Sequence, residues 1–288
     1  MPTSTRVKLS QDPSNRPVLI TGCSSGIGLS AATTLHERGF DVYATTRKAA
    51  DTKQLTKLGI KSLQLDLDDK RSIERAVSAV LAQTQGKLYA LFNNGGYGQG
   101  GAVEDLPTDA LRAQFETLVF GWHELTRQVI PVMRAQGQGR IIQNSSVLGF
   151  AAMPYRGAYN AAKFAIEGLT DTLRLELKDT NIHVSIIQPG PVRTRFRQNG
   201  LQKFKQHIEQ SNSVHREAYG QTIKRLKAPG DASRFTVGPE AVVSKLVHAL
   251  ENDKPRSRYR VTKPTIAFAV AKRLLPVSAL DRLLVSVK

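Results

Sequence analysis

Along most of the chain, short apolar runs alternate with longer stretches of helical period. The runs at 17–21, 41–45, 60–65, 88–92, 140–145 and 183–188 have strand length and are built around apolar residues, as expected of buried strands. Between them, 29–37, 71–83, 108–134 and 159–178 repeat apolar residues at helical spacing. This order predicts an α/β fold with one doubly wound parallel sheet and helices on both faces. Gly22, Asp66, Asn93, Ser146 and Pro189 all fall at the ends of predicted strands. Such sheets bind ligands at the carboxyl ends of their strands, so these residues are expected to converge on one crevice.

Two stretches give that crevice its chemistry. The first strand runs into Gly22-Cys23-Ser24-Ser25-Gly26-Ile27-Gly28 and then a helix. Glycines at such a turn let the backbone approach a diphosphate, whose charge meets the amides of the helix N-terminus. Eighteen residues beyond Gly28, where a dinucleotide fold usually places an acid for the ribose 2′-hydroxyl, stands Thr46 followed by Arg47. A cation in place of an acid predicts NADP(H). Farther on, Tyr159 and Lys163 are four apart on a predicted helix and share a face. A neighbouring ammonium favours the phenolate, so the tyrosine is expected to titrate below its usual range near 10 and to act as acid or base. Ser146, thirteen residues before Tyr159, is placed to hold a substrate oxygen.

Composition narrows the reading. At 288 residues and 40% hydrophobic, the chain fits one large domain. We divide it into a polar tail (1–16), the main domain (17–255) with a substrate lid at about 195–235, and a basic strand/helix extension of the same domain (256–288). One cysteine excludes an internal disulfide framework and fits a reducing, cytoplasmic setting. The six histidines show no metal-ligand spacing, so no metal is expected. Of the formal charge of +17, residues 193–288 contribute +13, with 20 Lys/Arg against 7 Asp/Glu. No nucleic-acid motif or stacking array accompanies them. Solvated helix faces, an anionic ligand or an acidic membrane surface explain the charge, and nucleic acid is not expected.

On Thr21-Gly22-x-x-x-Gly26-Ile27-Gly28, Asn93-Asn94-x-Gly96, Ser146, Tyr159-x-x-x-Lys163 and Pro189-Gly190-x-Val192-x-Thr194, the chain resembles the short-chain dehydrogenase/reductase family over roughly residues 16–255. Within it, the run through Gly28, Tyr43–Arg47 and Arg258–Thr262 are similar to the hydroxysteroid and retinol dehydrogenase branch. The resemblance implies a Rossmann-like fold with Tyr159 as general acid/base and Ser146 orienting the substrate oxygen. It makes Lys163 the holder of the nicotinamide ribose, puts Asp66, Leu67 and the Asn93–Gly95 backbone near the adenosine, and puts Pro189, Gly190, Val192 and Thr194 by the nicotinamide. Two positions depart from the family: Gly95 replaces a usual alanine, and Leu118 stands where an asparagine completes a catalytic tetrad, supports a local helix irregularity and helps hold a water behind the lysine. Leucine there is expected to slow turnover and to disturb the helix near Gly121.

Two functions follow. One is an NADP(H)-dependent oxidoreductase acting on a lipophilic aldehyde or ketone and its alcohol; the other is a cofactor-binding protein of weak turnover. Val147, Leu148, Phe150, Met153, Tyr155 and Phe196 are expected to line an apolar substrate pocket. The lid is polar and shows no clear period. The helix from Tyr159 is apolar around more of its circumference than one sheet contact needs, which predicts a homodimer or homotetramer. The segment 266–287 is expected to cover the substrate site, join the interface or touch a membrane surface, in that order.

Overall fold

A computed structural model of the chain describes residues 15–227, 231 and 233–286. All but the last two residues of the expected polar tail therefore lie outside the described residues. Seven parallel strands, β1 (Pro17–Ile20), β2 (Asp41–Thr46), β3 (Lys61–Gln64), β4 (Ala90–Asn93), β5 (Gly139–Asn144), β6 (Ile182–Gln188) and β7 (Arg258–Arg260), form one sheet in the order β3-β2-β1-β4-β5-β6-β7. The order reverses between β1 and β4, which opens the ligand crevice there. Successive residues of a strand enter opposite cores. Leu19, Leu91, Ile141 and Val184 meet α3 (Lys70–Gln83), α5 (Gly121–Ala135) and α6 (Gly157–Glu176). Val18, Ile20, Ala90 and Ile142 meet α1 (Gly26–Glu37) and α9 (Glu240–Glu251). Burial on both faces, worth about 1.5–3 kcal/mol for each large aliphatic side chain, explains why the central strands β1 and β4 carry apolar residues at successive positions.

The remaining helices are α2 (Ala49–Lys57), α4 (Thr108–Phe115), α7 (Phe196–His207), α8 (Arg216–Lys227), α10 (Lys263–Leu274) and α11 (Val277–Ser286). The C-terminal extension is no appendage, since Arg258, Tyr259 and Arg260 pair with Ile186, Ile187 and Gln188 as the seventh strand.

Two expectations are corrected. First, the long helix at 108–134 is divided by a π-helical turn at Glu116–Phe120, centred on Leu118. The irregularity stands with leucine, so it does not depend on an amide at that position. It is held from outside: Gly121 donates its N–H to the Glu116 carbonyl, and a Cβ on Gly121 would lie 2.3 Å from the Leu67 carbonyl oxygen. The Thr117 hydroxyl also donates to Asp68 at 2.6 Å. Second, the lid has a period. Phe204, Ile208 and Tyr219 from α7, its C-terminal end and α8 form a small separate core with Ala102, flanked by Tyr155, Leu106 and Ile223. Phe196, Gly200, Phe204 and Ile208 recur every fourth residue, a stripe obscured by the arginines, glutamines and lysines between them.

Candidate active site

The glycine turn leaves β1 through Gly22 (φ 73°) and enters α1 at Gly26 (φ 57°), both in the region that disfavours a side chain. A Cβ on Gly22 would meet the Gly95 Cα at 2.5 Å, and one on Gly28 the Gly22 carbonyl oxygen at 2.2 Å. The loops after β1 and β4 are thus in backbone contact. Thr21 and Asn94 fasten them together: the Thr21 hydroxyl accepts from the amides of Asn94 and Gly95, both at 2.9 Å, and the Asn94 side chain donates to the Thr21 carbonyl. Ser25 is the N-cap of α1 but makes no side-chain cap bond, and the first turn carries no acid. The helix therefore presents uncapped amides and an uncompensated dipole, which suit a diphosphate. Ser24 lies exposed beside them and Ile27 is half-buried. Thr194 closes the other side, its Cγ2 2.9 Å from where a Gly26 Cβ would stand. Val192 pairs with Val237, and the Pro189 carbonyl accepts from Val147 N–H at 2.8 Å. Gly190 is closely backed by the Thr262 hydroxyl.

Where the adenosine is expected, the Thr46 hydroxyl is engaged by the Lys48 carbonyl and Thr52, so Arg47, exposed on the turn, is the side chain left facing out. Asp66 donates its N–H to Ser72 and accepts from Asp68 N–H, and Leu67 is buried against Gly95. The buried Asn93 amide is turned inward to Thr126 (3.0 Å), so only its backbone borders the crevice. Asp68 was not singled out from the sequence. Burial raises its carboxyl above the usual range, opposed by the Thr117 hydrogen bond and by the charges of Arg47 and Lys203.

The reactive group assembles at the ends of β5 and α6. Ser146 caps a short 3-10 turn at Val147–Gly149, its Oγ accepting from Leu148 N–H at 3.1 Å. Asn160 donates to the Leu148 and Ala151 carbonyls, tying that turn to α6. Tyr159 is buried, and burial raises its phenol above the ordinary range, with the Ser146 hydroxyl the main influence in the other direction. The expected depression by Lys163 is not what this geometry gives. The Lys163 ammonium donates to the Asn144 carbonyl at 2.7 Å and lies 4.2 Å from the Trp122 ring centroid, against 5.6 Å from that of Tyr159. Burial lowers its own pKa to about 7, opposed by Glu167. Desolvation thus favours the neutral form of both groups, and the tyrosine carries its proton at neutral pH.

Three supporting residues escaped the sequence reading because nothing local marks them. Trp122 lies under the Lys163 ammonium and donates to the Gly95 carbonyl at 2.9 Å. Asn144 accepts Lys163 through its backbone and donates to Asn94. Glu167, one turn beyond Lys163, accepts from Gln188 (3.0 and 3.1 Å) and meets Arg258 at 3.4 Å.

The residues expected at the substrate do not all gather. Phe196 packs on Tyr159 with ring centroids 5.4 Å apart, which brings the lid onto the reactive phenol. Val147 and Leu148 are core residues, with Phe150 and Met153 half-buried beside them. Tyr155 belongs to the small lid core, edge-on to Tyr219 and His215. Leu118 is 1% exposed in the main core, and its Cδ2 stands where a Gly96 Cβ would be, 2.3 Å away.

Known proteins share this sequence and architecture. The family described as "short chain dehydrogenase" matches residues 16–204. An uncharacterized oxidoreductase of Escherichia coli, YbbO, is 43% identical over 269 residues, 93% of this chain and 94% of that protein. Human 17-beta-hydroxysteroid dehydrogenase type 1 is 32% identical over 85% of this chain and 77% of its own length. A variant of actinorhodin polyketide ketoreductase, solved with NADPH, superposes with a TM-score of 0.70 at 26% identity, covering 85% of this chain and 95% of that one. With its seven-stranded Rossmann-like sheet, glycine turn and Ser146, Tyr159 and Lys163 brought to one crevice, the chain belongs to the short-chain dehydrogenase family of oxidoreductases.

Proposed function

We propose that the protein is an NADP(H)-dependent reductase of lipophilic aldehydes or ketones. The observation that carries this reading is a buried Tyr159 hydrogen-bonded with Ser146, in a chain whose glycine turn opens α1 with no side-chain cap. In it, Gly22 to Gly28 hold the diphosphate, Arg47 meets the 2′-phosphate with its planar donor fork, and Lys163, Val192 and Thr194 face the nicotinamide half. When bound, the nicotinamide supplies the hydride that reduces the carbonyl carbon. Ser146 holds the carbonyl oxygen, and Tyr159 gives it a proton to complete the alcohol. The phenolate left behind is stabilised by the nearby Lys163 charge. The apolar side chains of Phe150, Met153 and Phe196 favour a lipophilic substrate, as do the steroid and polyketide named for two similar proteins.

A cofactor-binding protein of weak turnover is the second reading, favoured by Leu118. NADPH absorbance with a panel of apolar aldehydes and ketones, alongside NADPH binding by fluorescence, separates the two. Oxidation of NADPH is expected, with Tyr159→Phe losing at least about 10²-fold in kcat and keeping NADPH affinity. Binding without turnover on any carbonyl would overturn the first reading.

A further inference from the structure

We propose that α10 and α11, with the basic cavity beside them, dock on the anionic headgroups of a phospholipid bilayer. The inference stands apart from the reaction and holds whichever substrate the enzyme takes. α10 turns Thr265 and Phe268 inward to the core. Its other side presents Ile266, Val270 and Leu274, four residues apart and 50%, 50% and 75% exposed. Val277, at the start of α11, is 75% exposed, and Leu275 and Val285 extend the apolar surface. Aliphatic residues this open, spaced along one helix face and continued on the next, suit the boundary between headgroups and acyl chains.

The charge around them gives the partner its sign. Residues 256–288 hold eight Lys/Arg against a single acid, Asp281. A cavity of about 440 Å³ beside α10 is lined by four cations, Arg258, Arg260, Lys272 and Arg273, against one acid, Glu167. Two of these cations are committed: Arg258 pairs with Glu167 and Asp171, and Lys272 donates to the Phe150 carbonyl at 2.7 Å. Arg260 and Arg273 have no ion-pair partner among the described residues and remain for a phosphate. A second copy meeting this surface about a two-fold axis would set cations against cations, whereas an anionic bilayer answers both the charge and the apolar stripe. Among the described residues no helix is long and apolar enough to cross a membrane, so the contact is peripheral.

The test is sedimentation of the full-length protein with vesicles of phosphatidylcholine alone and with about a third phosphatidylglycerol. Binding is expected only to the anionic vesicles and to weaken as salt rises. The double variants Val270→Ser/Leu274→Ser and Arg260→Glu/Arg273→Glu should each lower partitioning by about tenfold or more. Hydrogen exchange on the unaltered protein reads the same surface without relying on the variants' folding: anionic vesicles should slow exchange at 263–286. No binding to anionic vesicles, equal binding to neutral ones, or protection confined to other segments would overturn the proposal. So would variants that keep vesicle binding but lose self-association, which would assign the surface to a second copy.

Discussion

Leu118 shows how one residue bears on chemistry it does not touch. It fills the space beside Gly96 and belongs to the main core, while the π-helical turn around it is fixed by Gly121, Thr117 and Asp68. An asparagine there would keep the turn and place an amide where the family resemblance expects one. Leu118→Asn is therefore expected to raise kcat for carbonyl reduction with NADPH affinity little changed. It should also lower stability by roughly 1–3 kcal/mol, because a polar group replaces packed aliphatic surface. Steady-state kinetics and thermal melts check both; an unchanged or lower kcat would show that the amide is not limiting. Lys163 makes a second prediction. Its pKa near 7 lies far below that of a free lysine, so its positive charge is present below pH 7 and lost above it. kcat/KM for reduction, which needs that charge to stabilise the Tyr159 phenolate left when the proton is given up, should be level below about pH 7 and fall above it. Glu167 opposes the downward shift, so Glu167→Gln should move the break to lower pH. A profile flat to pH 9 in both proteins would refute this account.

At the scale of elements, the proposed cofactor choice rests on three connections that meet. Arg47 follows β2, Asp68 follows β3, and Lys203 comes from α7 of the lid, 5.1 Å from the Tyr97 ring centroid. Both cations act on the Asp68 carboxyl, a negative group beside the expected 2′-phosphate position. Arg47→Ala should weaken NADPH binding at least about tenfold, the loss of a charge-assisted contact of ~1.5–3 kcal/mol, with NADH affected little. Asp68→Asn should do the reverse and tighten NADPH. Comparable kcat/KM for NADH and NADPH in the unaltered protein would count against the assignment. How much of this region is legible in the sequence depends on the element. The glycine turn is local and could be read directly. Asp68 matters only because the 116–120 turn and α7 fold back over it, and those contacts join residues 49 or more positions apart.

For the whole molecule, the question is what covers α6. It buries Ala162 and Ile166 but leaves Leu169 and Leu175 exposed, with Phe120 exposed on the preceding turn. A second copy packing on this face is the expected partner, giving a two-fold homodimer or a tetramer built from it. Sedimentation at micromolar concentration should report at least a dimer, and Leu169→Glu/Leu175→Glu should shift it toward monomer with secondary structure retained. A monomeric native protein would remove the proposal.

What the sequence alone determined is what short-range chemistry encodes. Strands were legible where apolar residues cluster over four to seven positions, the glycine turn because positive φ favours glycine and a Cβ on Gly22 or Gly28 would strike backbone, and Tyr159 with Lys163 because helical spacing fixes which side chains share a face. The tertiary structure decided the rest. The sequence puts a strand within 256–288; that it is β7, joined in parallel to β6 at the sheet edge, is decided by tertiary pairing. The lid helices carry too few apolar residues to declare their period and are ordered by Ala102 and Tyr155 from distant loops. The protonation of the reactive pair was read from proximity as a lowered tyrosine. The fold reverses it, because burying Tyr159 and turning Lys163 to the Asn144 carbonyl makes desolvation outweigh their attraction.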